Sequence, residues 1–120
     1  MAIIATPYKS GKYSRGLKVR EKNPTKRDEF YKLFCRIRCE SGCVRIKFPN
    51  GVWAESDFRN KDSFWRGCSE LVSVEIREQM EKTLKKIGEW PWTKGRPPYS
   101  ELSHVEKNEF RLHKWVKQNK

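Results

Sequence analysis

The chain has 120 residues, with 27 Lys and Arg against 15 Asp and Glu, for a net charge of +12. That length suits one domain, and an aromatic share of 12% argues against disorder throughout, because disordered chains are poor in large apolar side chains. No apolar run approaches the ~20 residues of a membrane span.

The short apolar start, Ala2 to Ala5, precedes its charges, the reverse of a secretory leader. An intracellular protein, cytoplasmic or nuclear, is therefore expected, with reduced thiols and no membrane partner. An excess of positive charge repels itself in a compact state, and a partner bearing negative charge relieves that cost.

Residues 1–23 read as a basic N-terminal arm or edge strand, and residues 24–120 as a single α+β domain. Residues 1–27 hold eight cations and one carboxylate. Lys9, Lys12, Arg15, Lys18, Arg20 and Lys22 are candidate phosphate contacts there, and Tyr13 is a candidate for stacking on a base. Leu17 to Arg20 alternates as a short strand would.

Asn23-Pro24 signals a helix start, with Pro at the first helical position. A short helix over about 24–33 would turn Phe30, Leu33 and Phe34 inward. From residue 34 the pattern alternates: Leu33, Cys35, Ile37 and Cys39 on one side, Phe34, Arg36 and Arg38 on the other. A helix over 25–40 is the rival, since Phe30, Leu33, Phe34 and Ile37 also fit a helical stripe. The strand is preferred. Val44, Ile46 and Phe48 alternate next, and Asn50-Gly51 is a strong hairpin signal before Val52 to Glu55.

The expected result is a meander with one apolar face and one basic face. Arg36, Arg38, Arg45 and Lys47 would share the basic face, with Phe34 and Trp53 as stacking candidates. Cations interleaved with aromatics suit nucleic acid, because the cations meet phosphates and the rings stack on bases.

Residues 56–70 are expected to form a loop pinned by Phe58, Phe64 and Trp65. Val72, Ile76, Met80, Leu84 and Ile87 mark one face of a helix, and Gly88 sits where a left-handed cap belongs. The stiff connection through Trp90-Pro91-Trp92 and Pro97-Pro98 carries two more candidate cations, Lys94 and Arg96. Ser103 with Glu106 fits a capping box and predicts a last helix. The expected fold is thus α+β, a three- or four-stranded antiparallel meander with two or three helices packed on one face.

Cys35, Cys39 and Cys43 are spaced four apart and lack the tight pair typical of zinc modules. Cys35 and Cys39 are expected on the inner face, and no metal or cofactor is expected. There is no phosphate-cradling glycine loop and no nucleophile motif. A non-catalytic nucleic-acid-binding protein follows, with DNA or RNA as partner, held by the basic arm and the basic sheet face. The alternative is a small adaptor or inhibitor of viral or phage type, docking on an acidic protein or a nucleoprotein complex. A metal-independent ribonuclease built from Tyr99, His104, Arg111 and His113 is the minor enzymatic reading.

Overall fold

The computed structural model describes residues 1–10, 14–58, 61–92 and 95–118, except for the side chains of Ser10, Ser14, Arg15, Lys61 and Asp62. In chain order the elements are β1 (Ile3–Ser10), β2 (Ser14–Glu21), α1 (Arg27–Glu40), β3 (Cys43–Lys47), β4 (Trp53–Asp57), β5 (Cys68–Leu71), α2 (Val74–Lys86), β6 (Ser100–Glu106) and β7 (Glu109–Leu112). Short 3-10 segments cover Pro24–Lys26 and Lys61–Arg66. No described helix is long and apolar enough to cross a membrane.

The strands form one mixed sheet in the order β4-β3-β7-β6-β1-β2-β5. Every pairing is antiparallel except β3 with β7, which is parallel. The sheet curls into a nearly closed, barrel-like shape, and α2 spans the gap. This helix follows directly on β5, one end of the sheet, and docks on β4, the other. The Ser73 hydroxyl donates to the Glu55 carbonyl, and the Glu75 carboxylate accepts the Glu55 N–H. Backbone groups that an edge strand would leave open are thereby satisfied.

One apolar cluster fills the interior. Alternate residues of each strand point into it, among them Ile3, Leu17, Val44, Phe110 and Leu112. Phe34 is its hinge point. Its ring stacks on Phe30 at 4.0 Å and meets Phe58, Phe64 and Phe110 at centroid distances of 5.6 to 5.7 Å. Such pairs add about 0.5–1.5 kcal/mol each beyond the area they bury.

Several expectations are overturned. The sheet is not a three- or four-stranded meander with helices on one face, but seven strands wrapped almost shut around the core with two helices. The segment from residue 34 to 40 is helix, not strand. Burial of Phe30, Leu33, Phe34 and Ile37 follows the helical spacing and leaves Cys39 exposed. Asp28 and Glu29 favour the first turn through the helix dipole, and Lys32 pairs with Asp28 one turn back. The Asn23 side chain accepts the Thr25 N–H at 3.0 Å and leads the chain in. With that segment helical, Cys35 and Cys39 do not share an inner sheet face.

The final helix is also absent, and a hairpin of β6 and β7 stands in its place. Leu102, Phe110 and Leu112 alternate into the core. Asn108 pins the turn to β3, accepting the Arg45 N–H at 2.9 Å and donating its amide to the Cys43 carbonyl. The segment 1–23, expected as an arm or edge strand, forms β1 and β2, and neither lies at an edge of the sheet. The helix read from Val72 to Ile87 is present as α2. Gly88 follows it at φ 76°, and the N–H groups of Gly88 and Glu89 close a left-handed cap onto Lys85 and Leu84.

Candidate functional site

Strand alternation decides which side chains leave the core. On β3 and β7, with Ile46 and Phe110 facing in, Arg45, Lys47, Glu109 and Arg111 face out. On β6, with Leu102 facing in, Glu101 and Ser103 face out. The register sets Trp53 opposite Lys47, Lys47 beside Arg111, and Arg111 opposite Ser103. This row crosses four adjacent strands, about 14 Å at the usual ~4.8 Å spacing. His113 comes just after β7, where its N–H donates to the Glu101 carbonyl at 3.0 Å.

An open cleft of about 670 Å³ lies along this face, and Lys47, Tyr99, Glu101, Arg111, His113 and Lys114 line it. The volume suits a nucleotide-sized group. Among the described residues, Lys47, Arg111 and Lys114 have no carboxylate within ion-pairing distance. Arg45 differs, because its guanidinium meets the Glu109 carboxylate at 2.6 Å and lies 4.8 Å from the Trp53 ring centroid.

The His113 ring is held from both sides. Its Nε2 is 2.7 Å from the Ser103 hydroxyl, and its Nδ1 is 3.4 Å from an Arg111 nitrogen. A guanidinium only donates, so Nδ1 is the acceptor in the longer contact, while the shorter one is compatible with the hydroxyl either donating to Nε2 or accepting from it. Ser103, His113 and Arg111 thus form one polar cluster on this face.

The other cations expected from sequence are dispersed. Lys18, Arg20 and Lys22 are exposed on β2 or just past it, and Lys18 stands opposite Glu70. β2 lies four strand spacings from β3, roughly 19 Å along a curved sheet. Lys9 is exposed near the end of β1, and Arg96 in the loop before β6. Arg36 and Arg38 are exposed on α1, whose Phe34 packs on inward-facing Phe110. They therefore lie across the core from Lys47 and Arg111, and the single basic face of Arg36, Arg38, Arg45 and Lys47 does not form. Phe34 is 1% exposed, so no base can reach it. Lys12, Tyr13 and Lys94, and the Arg15 side chain, lie outside the described residues.

Of the ribonuclease set, Tyr99, Arg111 and His113 converge on the cleft. His104 does not, since its Nε2 contacts the Lys107 carbonyl at 2.8 Å and its ring lies against Phe110.

No protein-family model, no curated protein and no solved structure matches this chain. The site therefore stands on its own geometry.

Glu101, Ser103 and Lys114 were not singled out as site residues from sequence, where Ser103 was read as the start of a last helix. The signal was there in Phe110-Arg111-Leu112-His113, which alternates apolar and polar after a Lys107-Asn108 turn. All four cysteines are free. Among the described residues, no group of three or more His, Cys, Asp or Glu is placed to hold a metal ion. Burial pushes the Cys43 thiol up from its ordinary value, and a hydrogen bond to Glu55 pushes it further.

Proposed function

We propose that this protein binds nucleic acid, without catalysis, through the outer face of β3, β7 and β6. One observation carries the reading. Lys47, Arg111 and Lys114 line a single cleft, and none of them is ion-paired among the described residues. Among the described residues, Glu101 is the one carboxylate lining the same cleft, so the local balance stays positive. The net charge of +12 adds a long-range pull on a polyanion.

Backbone phosphates are the ligand chemistry that suits this cleft. Arg111 offers a planar fork of donors and Lys47 and Lys114 offer point charges, while Ser103, opposite Arg111 on the same face, offers a hydroxyl beside the cleft.

Titration of a labelled oligonucleotide at several salt concentrations tests the reading. Engagement of about three phosphates gives a log–log slope near −2 to −3, from ~0.7–0.9 per contact. Affinity that does not change with salt would rule out phosphate-driven binding.

A further inference from the structure

We propose that this face is a single-strand reader, in which one unpaired base stacks on Trp53 and the adjoining phosphates rest on Lys47 and on Arg111 with Ser103. This rests on the nucleic-acid reading above and narrows it to unpaired strands.

Trp53 begins the row that continues through Lys47, Arg111 and Ser103, and all four project from the outer face. Trp53 is 36% exposed. Large aromatics are usually buried more fully than this, and the residue stands opposite Lys47, which has no ion pair among the described residues.

The ring is also braced. The Arg45 guanidinium lies 4.8 Å from its centroid, and Glu109 anchors that guanidinium at 2.6 Å. The cation–π contact holds the indole, while the ion pair fixes the cation that does the holding. A platform set in place before the ligand arrives loses less side-chain freedom on binding. The brace also keeps Glu109 from repelling a phosphate, since Arg45 neutralises it.

The platform selects unpaired bases for a geometric reason. Base faces in a duplex are covered by their stacked neighbours, so a ring standing on a sheet surface finds no face to cover. Splayed bases of a single strand offer both faces. Phosphate contacts alone would not discriminate in this way, because both kinds of strand carry them.

Fluorescence anisotropy of the full chain provides the test. The probes are labelled oligo(U) and oligo(dT) of about 12 nucleotides, within the ~4–16 that a comparable sheet face covers, and a duplex hairpin of the same length. At least one single strand should bind about 10-fold more tightly than the duplex. Trp53→Ala should weaken single-strand binding by about 10-fold, within the range for loss of one stacked base, and leave the duplex unchanged. Trp53→Phe should keep most of the affinity, which separates the ring from a general loss of structure.

Equal single-strand binding by wild type and Trp53→Ala would overturn the stacking proposal. So would duplex binding as tight as single-strand binding. If Lys47→Ala and Arg111→Ala still weakened both probe types in that case, the nucleic-acid reading would survive alone. If no probe bound the wild type at low salt, both would fall.

Discussion

The Ser73 hydroxyl accepts the Ile76 N–H at 3.1 Å and donates to the Glu55 carbonyl at 2.7 Å. One side chain thus caps α2 and ties it to β4. Ser73→Ala should cost about 1–2 kcal/mol by urea denaturation, from the lost cap and the lost bond to Glu55. Ser73→Asp restores the cap but has no proton for the Glu55 carbonyl, so it should recover only part. Full recovery would show that the tie to β4 contributes nothing.

Gly16 sits where β2 passes β5. A Cβ built there would lie 2.7 Å from the Leu71 carbonyl oxygen and 2.8 Å from Val72 Cγ2. The first of these is backbone and cannot swing aside. Gly16→Ala should therefore destabilise by about 1–3 kcal/mol through overpacking, read as a lower midpoint in thermal unfolding. Unchanged stability would mean that β2 and β5 can spread at no cost.

Cys43 Sγ donates to a Glu55 carboxylate oxygen at 3.1 Å. Burial first, then this bond and the charge of Glu55, hold the thiol above its ordinary value of 9.0. Since the thiolate is the nucleophile, Cys43 should alkylate more slowly at pH 8 than exposed Cys39, measured by mass spectrometry of iodoacetamide labelling. Glu55→Gln should speed Cys43 and leave Cys39 unchanged. The linkage has a definite sign. The unfolded thiol ionises first as pH rises, so this group's contribution is intact below pH 9.0 and fades above it.

Arg36 and Arg38 lie across the core from the cleft. At ~0.15 M salt the screening length is about 8 Å, so their charges scarcely reach a ligand bound there. Arg36→Ala with Arg38→Ala should change nucleic-acid affinity by less than about two-fold at that ionic strength. Lys47→Ala with Arg111→Ala should weaken binding at least about 10-fold and reduce the salt slope by about 2, near one per phosphate contact. The reverse ranking, measured by the same titration, would move the interface to α1.

Some elements were legible because their signals are local. The stripe of Ile76, Met80 and Leu84 with Gly88 at its end specifies a helix and its stop within one stretch of chain. Asn50-Gly51 does the same for the β3–β4 hairpin. The segment 34–40 was not legible. Phe34 and Ile37 satisfy a helix, while Cys35, Ile37 and Cys39 satisfy a strand, and only packing of Phe34 among Phe58, Phe64 and Phe110 decides between them. The β6–β7 hairpin was missed for a related reason. Ser103 and Glu106 match a helix cap locally, but Phe110 and Leu112 find their burial between β3 and β6.

The amino-acid sequence by itself determined a basic, aromatic-rich chain, where α2 lies, and where β3 turns into β4, because charge is additive and these signals act over a few residues. Tertiary structure alone decided which cations share a surface. Lys47 and Arg111 are far apart in the chain and become neighbours only through the parallel pairing of β3 with β7, a long-range contact no local pattern encodes. The same pairing places Glu109 against Arg45, so that charge is neutralised on one row and left open on the next.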